Sequence, residues 1–304
     1  KDFSKGDLIM RKVLLATTAL VAMSVTAAQA DISISMTAET GFVTSDKDGD
    51  SAWTDGNLTV KGSMTSDNGI TFAAVKNMAF QNDTTYAGDD GITEDAYIDI
   101  TGDFGGFRIG QTDLAGDRMD GVLGKNQDVY TIGSTSTASN YTGTDLTDFT
   151  ADTSISYVSP SMNGLTVYGA AVPNGQSQMG VNFSLGGMAL MVQQQSGSSK
   201  GDEVSVGAGL SVAGIGINVG KKQEDLNGTK TDSSDLNLKY SLNDSATMSI
   251  LMQEGKQGTT KHTMTGVEIA YTIAPGATAY IGYENTDVAG TTDSGMGAVI
   301  SVSF

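Results

Sequence analysis

Catalytic residue types are scarce in this 304-residue chain. It contains no cysteine and one histidine, His262. Thiol chemistry is therefore excluded, and any dyad or triad built on histidine would need that single side chain. His262 follows a charged loop at the predicted start of a strand, and we interpret it as a solvated side chain at a loop end. The residue types thus indicate a protein that is not an enzyme.

Three acidic residues in the segment SDKDGDS have a spacing that could bind a metal ion. Asp46, Asp48 and Asp50 alternate as the carboxylates of calcium loops do, but Gly49 is misplaced for an EF-hand and no Glu stands at the twelfth position. The simplest interpretation is a solvated acidic loop. No cofactor is required, although calcium at this loop or at Asp89 and Asp90 would offset crowded carboxylates.

The elements that position these residues are predicted to be β-strands. Ile32, Ile34 and Met36 alternate with small polar residues, and similar runs recur up to Phe304. Tight Gly, Asn, Asp or Pro turns alternate with longer charged connections, as in outer-membrane barrels. We predict sixteen strands, starting near Ile32, Leu58, Ile70, Ile92, Phe107, Thr153, Leu165, Met179, Met188, Val204, Ile215, Asp235, Thr247, His262, Thr278 and Gly295.

The first thirty residues are expected to be absent from the folded protein. Residues 10–30 begin MRK, continue with an uncharged apolar run too short to cross a bilayer, and end in Ala28-Gln29-Ala30. This is the layout of a secretory signal peptide, with cleavage predicted after Ala30. Residues 1–9 precede the natural start and are interpreted as an upstream extension.

The predicted mature chain, residues 31–304, is strongly acidic. It carries 13 Lys or Arg and 33 Asp or Glu, so its net charge is about −20. Nucleic-acid binding is excluded, because neutralising phosphates requires a basic face.

A closed transmembrane antiparallel β-barrel explains the pattern better than a soluble β-sandwich or a β-solenoid, which also show alternation. The strand count is high for one sandwich, the polar face is small and uncharged, and the last residue, Phe304, lies on the apolar face of a strand. After Phe107–Thr112 come about forty residues without periodicity. We interpret residues 113–150 as a loop that folds into the barrel and narrows it; a mobile surface loop is the alternative.

Two segments resemble a known family, the general-diffusion porins of Gram-negative outer membranes, especially the alphaproteobacterial type. GDFGGFRIGQTDLAG is similar to the hairpin before their constricting third external loop, and GMGAVISVSF to their last strand with its terminal Phe. The signal peptide and hairpin spacing agree along the mature chain. The resemblance implies a homotrimer of sixteen-stranded barrels in the outer membrane. Each barrel would have a water-filled channel, narrowed where acidic loop residues face basic wall residues.

The resemblance also suggests constriction residues. Asp113, Asp117 and Asp120 match the acidic start of the inward loop, and Arg108 matches the lumen-facing position before it. Arg108 lies between apolar Phe107 and Ile109, which places it on the inner face by the period of two. Lys61 is on the polar face of its strand. The mature chain departs from the pattern in having only two arginines, Arg108 and Arg118.

The expected function is passive diffusion of ions and small hydrophilic solutes across the outer membrane. Acidic groups at the narrowest section raise the local cation concentration, so we expect weak cation selectivity, carried by Asp113, Asp117, Asp120 and Asp128. The alternatives are a non-channel surface or adhesin barrel and a membrane-barrel hydrolase with a Ser/His or Asp/His site.

Overall fold

Sixteen antiparallel strands form one closed barrel. The computed structural model describes residues 30–47, 49–81, 96–111, 153–173, 175–198, 201–226 and 228–304. Every strand is hydrogen-bonded to two neighbours, in sequence order around the barrel. The strands are β1 (Asp31–Ser45), β2 (Gly49–Thr65), β3 (Thr71–Gln81), β4 (Ala96–Gly102), β5 (Gly105–Gln111), β6 (Thr153–Val158), β7 (Leu165–Ala171), β8 (Ser177–Leu185), β9 (Met188–Ser198), β10 (Gly201–Val212), β11 (Ile215–Leu226), β12 (Thr229–Asn243), β13 (Ala246–Gln257), β14 (Thr260–Ala274), β15 (Ala277–Val288) and β16 (Thr291–Ser303).

The first and last strands close the barrel. β1 pairs with β16 from Thr37 opposite Ser303 to Ser45 opposite Gly295. Beyond that register, the Phe304 amide donates a 2.9 Å hydrogen bond to the Met36 carbonyl. Closure leaves no strand edge unpaired, which a sheet in a membrane requires. The predicted fold class and the predicted number of strands are confirmed.

The two faces of the wall differ in chemistry. One face carries large apolar side chains that remain exposed, such as Met179 and Ile281, both 59% exposed. The other face is mainly small and polar. Among the described residues, buried apolar side chains form small clusters, such as the pair Ala189 and Met191. An exposed apolar band around a closed barrel is suited to contact with lipid. No helix in the described ranges has the length and apolarity to cross a membrane.

The two ends of the barrel differ as well. Asp31, Phe304 and the turn at 66–70 lie at one end, which we call the turn end. The other end, the loop end, holds the strand termini that border residues 82–95 and 112–152. The predicted constriction loop at 113–150 and the predicted signal peptide lie outside the described residues.

Several connections predicted to be long are tight hairpins at the loop end. β1 ends at Ser45 and β2 begins at Gly49, well before the predicted start at Leu58. Beyond the apolar band both faces of a strand contact water, so polar residues on both faces hide the alternation while the backbone pairing continues. The same correction applies to β10, β12 and β16, which begin at Gly201, Thr229 and Thr291 rather than near the predicted Val204, Asp235 and Gly295.

Candidate pore lining and constriction

Strand register divides the wall into an inner and an outer set of side chains. In β5, Phe107 and Ile109 are each 40% exposed among the outward apolar residues, so Arg108 between them points inward. Arg108 lies directly opposite Asp99 of β4 and Ser156 of β6. The same alternation, carried across each strand pair, assigns every described strand residue to one face.

Arg108 is held by an acidic and an aromatic neighbour on the inner wall. Its Nε lies 2.8 Å from Asp99 Oδ1 and its Nη2 lies 3.0 Å from Asp99 Oδ2. The guanidinium carbon is 3.8 Å from the centroid of the Tyr97 ring. The Arg108 and Asp99 side chains are only 16% and 18% exposed. A two-point ion pair with a ring beneath it fixes the guanidinium and neutralises its charge.

The β4–β5 hairpin explains how these three residues meet. Its turn places Gly102 opposite Gly105, which brings Asp99 opposite Arg108 and Tyr97 opposite Gly110. Gly110 has a φ of +145°. A Cβ there would lie 2.3 Å from the Ala96 carbonyl oxygen. Glycine therefore permits the close approach of the two strands beside the Arg108 pair.

Lys61 is also on the inner wall, but it does not join the Arg108 pair. It lies opposite Ser33 of β1 and Val75 of β3. Val75 in turn lies opposite Tyr97 of β4, so Lys61, Val75 and Tyr97 form one row of inner side chains across three strands. The Lys61 side chain is exposed and stands four residues before the end of β2 at the turn end.

Of the predicted constriction residues only Arg108 and Lys61 are described, and the structure does not bring them together. Asp113, Asp117, Asp120 and Asp128 lie outside the described residues. The described partner of Arg108 is Asp99, which the sequence analysis missed. A signal was present, because Asp99 and Arg108 are equally distant in sequence from the midpoint of the turn, which lies between Asp103 and Phe104.

Carboxylates dominate the described inner wall. By register it holds ten acidic side chains but only four basic ones, and two of the acids, Asp55 and Asp293, lie in segments that had been predicted as loops. The basic residues are Lys61, Arg108, Lys222 and Lys239. The acidic residues are Asp31, Glu39, Asp55, Asp99, Glu203, Glu224, Asp235, Glu268, Glu284 and Asp293.

His262 is not the solvated loop-end residue that the sequence suggested. It is the third residue of β14, it faces the interior and it is 3% exposed. Its cross-strand neighbours are Gly255 and Val288, neither of which offers a nucleophile or an acid. The strand begins earlier than predicted, which places His262 within the wall.

The proposed calcium loop is only partly described. Asp46 accepts a hydrogen bond from the Ser294 hydroxyl, and Asp50 lies opposite Thr44 on the outer face. Asp48 lies outside the described residues. Within the ranges that the structure describes, no three acidic, histidine or cysteine side chains are grouped closely enough to hold a metal ion.

A closed sixteen-stranded barrel, apolar outside and lined inside with polar and charged side chains, defines a membrane channel. A barrel of this size leaves an aqueous lumen. The sequence model of the Gram-negative porin family matches residues 16–301. The chain therefore belongs to the Gram-negative porins and is an outer-membrane channel protein. This family consists of channels rather than enzymes.

Solved structures share the fold at low sequence identity. The anion-selective porin from Comamonas acidovorans has a TM-score of 0.71 and 14% identity, over 90% of this chain and 100% of that one. A loop L8 deletion mutant of OmpT from Vibrio cholerae has a TM-score of 0.71 and 12% identity, over 90% and 99%. A mutant of the Rh. blastica porin has a TM-score of 0.70 and 14% identity, over 90% and 100%. A search of curated proteins found no match.

Proposed function

We propose that this porin is a passive diffusion channel for ions and small hydrophilic solutes, with a weak preference for cations. The observation that carries the proposal is the excess of carboxylates on the inner wall. Ten acidic and four basic side chains lie on the inner face of the described wall. Seven of the acids and three of the basic residues are at least partly exposed, whereas Glu203, Asp235, Glu284 and Lys222 are buried. Charges lining a water-filled pore raise the local concentration of counter-ions and lower that of co-ions.

The one inward arginine of the described wall does not offset this excess. Arg108 is paired with Asp99 through two contacts of 2.8 and 3.0 Å, so the pair presents little net charge to a passing ion. Only one other arginine, Arg118, occurs in residues 31–304. A strong transverse field between an arginine cluster and an acidic loop is therefore not part of the proposal. The four acids predicted at the constriction would add to the acidic lining: Asp113, Asp117, Asp120 and Asp128.

The anion-selective porin from Comamonas acidovorans shows that selectivity does not follow from the fold. That protein has the same barrel at 14% identity. The side chains on the inner face must set the sign of selectivity, which is why the proposal rests on the register of this wall.

The test is the reversal potential of single channels in a planar bilayer across a salt gradient. We expect a potential that corresponds to cation preference. Asp113→Asn combined with Asp117→Asn should shift it toward zero. Anion preference in the unmodified channel would refute the proposal, and protein that inserts without conducting would favour a non-channel barrel.

Assembly and processing are further parts of the proposal. We propose a homotrimer in the outer membrane, formed after cleavage between Ala30 and Asp31. Lys76 lies in the outer apolar face, opposite Val60 and Ala96, where a neighbouring subunit could cover it. Native mass spectrometry of exported protein should give three copies of a chain that begins at Asp31. A monomer, or a chain that retains residues before Asp31, would contradict these points.

Calcium at the β1–β2 hairpin also remains a proposal. It rests on the spacing of Asp46, Asp48 and Asp50 alone.

A further inference from the structure

The charges of the inner wall are unevenly distributed along the barrel axis. Two inner lysines stand near the turn end: Lys61 lies four residues before the end of β2, and Lys239 lies four residues before the end of β12. Both side chains are exposed, and neither has an ion pair within the described part of the chain. Near the same level, Arg108 is neutralised by Asp99.

Most of the inner carboxylates lie further toward the loop end. Asp31 stands at the rim of the turn end. Eight others lie six to ten residues from the turn end of their strands: Glu39, Asp55, Glu203, Glu224, Asp235, Glu268, Glu284 and Asp293. Lys222 is the one inner lysine at their level.

In a Gram-negative porin the short turns face the periplasm and the opposite end faces the outside. The described inner wall therefore has an acidic external zone and, toward the periplasm, a zone in which the two lysines outweigh Asp31 by one positive charge. The turns at that end also carry Asp67, Asp103 and Asp244, so the periplasmic end as a whole is not basic. A strand residue rises about 3.3 Å, and strands tilt by roughly 40°, so each residue adds about 2.5 Å along the axis. The centres of the two zones are then separated by about 10 Å.

We propose that this axial separation of charge makes the channel rectify, passing more current when the external side is positive. The inference rests on the proposed diffusion function and adds a direction to it. With the external side positive, cations enter through the acidic zone and anions enter past the two lysines. Both ions accumulate between the zones, and conductance rises. With the opposite polarity each ion first meets a zone of its own charge, and the region between is depleted.

Ionic strength controls the size of the effect. The Debye length is about 10 Å at 0.1 M salt and about 3 Å at 1 M. The two zones therefore act separately on ions at 0.1 M, whereas at 1 M their fields hardly reach the pore axis. From screened Coulomb energies we expect a current ratio between the two polarities of about 1.5 to 2 at 0.1 M. The ratio should approach one at 1 M.

The experiment is a current–voltage measurement on single channels in identical salt on both sides. The orientation of each channel is determined with Thr259→Cys, placed in the exposed β13–β14 hairpin at the loop end. The chain has no cysteine, so biotin attached there is unique, and streptavidin can bind it only from the external side. In the double variant Lys61→Gln/Lys239→Gln, the ratio of the currents at the two polarities should fall about halfway from its wild-type value to one.

Lys230→Gln is the matched control. Lys230 lies in β12 like Lys239, but on the outer face, so the same loss of charge should leave the ratio unchanged. Wild-type conductance at 1 M salt would show that each variant has assembled correctly. A linear current–voltage curve at 0.1 M, the opposite polarity, or an unchanged ratio in the double variant would overturn the inference. A linear curve together with a cation-selective reversal potential would refute rectification but support the proposed function.

Discussion

Breaking the Arg108–Asp99 pair tests directly whether Asp99 cancels the effect of the Arg108 charge on ion selectivity. Asp99→Asn would leave a guanidinium without its carboxylate, whereas Arg108→Gln would leave the carboxylate without its guanidinium. Each single change shifts the lumen charge by one unit, in opposite directions. The double variant Asp99→Asn/Arg108→Gln has the same net charge as the unmodified channel. We therefore expect the two single variants to move ion selectivity apart and the double variant to resemble the unmodified channel.

The size of the shift follows from Coulomb's law. At roughly 7 Å in water, a unit charge changes the energy of a monovalent ion by about 0.6 kcal/mol, and by about 0.3 kcal/mol after screening at 0.1 M salt. Cations and anions respond with opposite sign. The ratio of cation to anion permeability should then change by about 2- to 3-fold, rising in Arg108→Gln and falling in Asp99→Asn.

The assay is the reversal potential across a gradient of dilute salt. The control pair is Lys261 and Glu254, whose charges are 3.0 Å apart but about 60% exposed on the outer face. Lys261→Gln and Glu254→Gln change the same charges outside the lumen and should leave the reversal potential unchanged. If the double variant Asp99→Asn/Arg108→Gln differed from wild type by as much as either single variant does, the view of a neutral pair would be wrong.

Three further predictions concern side-chain packing, the charge of the lumen and metal binding. Gly180→Ala should lower barrel stability by about 1–3 kcal/mol. A Cβ there would lie 2.2 Å from the ring of buried Tyr168, so the denaturation midpoint should fall in Gly180→Ala but not in Gly62→Ala, where nothing lies within 4 Å. The single tryptophan, Trp53, faces inward against Gly41. At low ionic strength, caesium should quench its fluorescence more than iodide does, and stronger iodide quenching would contradict an acidic lumen. EDTA should lower the thermal stability of the barrel if the β1–β2 hairpin holds calcium; an unchanged midpoint would remove the reason for placing calcium there.

The fold could be predicted from sequence because lipid and water impose a period of two on the strands. Outward positions such as Ile269 and Ile281 must be apolar, and inward positions such as Gly282 are free of that demand. Closure was predicted from the number of strands and is seen in the pairing of β1 with β16. Strand ends could not be predicted in the same way. Around Gly49 and Thr229 both faces of the strand contact water, so a hydrogen-bonded strand and a solvated loop have similar amino-acid compositions there.

The candidate site was only partly predictable for a related reason. The period of two gives the side on which Arg108 lies, but its partner depends on register across the hairpin. Register follows from the centre of the turn, and an error of one residue there would place Asp99 on the opposite face. Part of the acidic wall could not be predicted, since Asp55 and Asp293 lie in segments whose pairing the sequence does not reveal.

The low identity to other porins has a physical explanation in the two faces of the wall. Lipid restricts the outer face in composition but accepts any large apolar side chain, so Ile, Leu, Val and Met can exchange there. Where the inner face is exposed, as at Lys61 and Lys239, a residue can gain or lose a charge at little cost in desolvation. Apart from positions such as Gly110 and Gly180, where a side chain would clash, neither face demands a particular residue, and the barrel can persist at 12–14% identity. Selectivity is then free to change sign among barrels of one shape. For that reason the rows of inner residues across the strands, such as Asp99 with Arg108, are a better guide to what this channel passes than its similarity to any single porin.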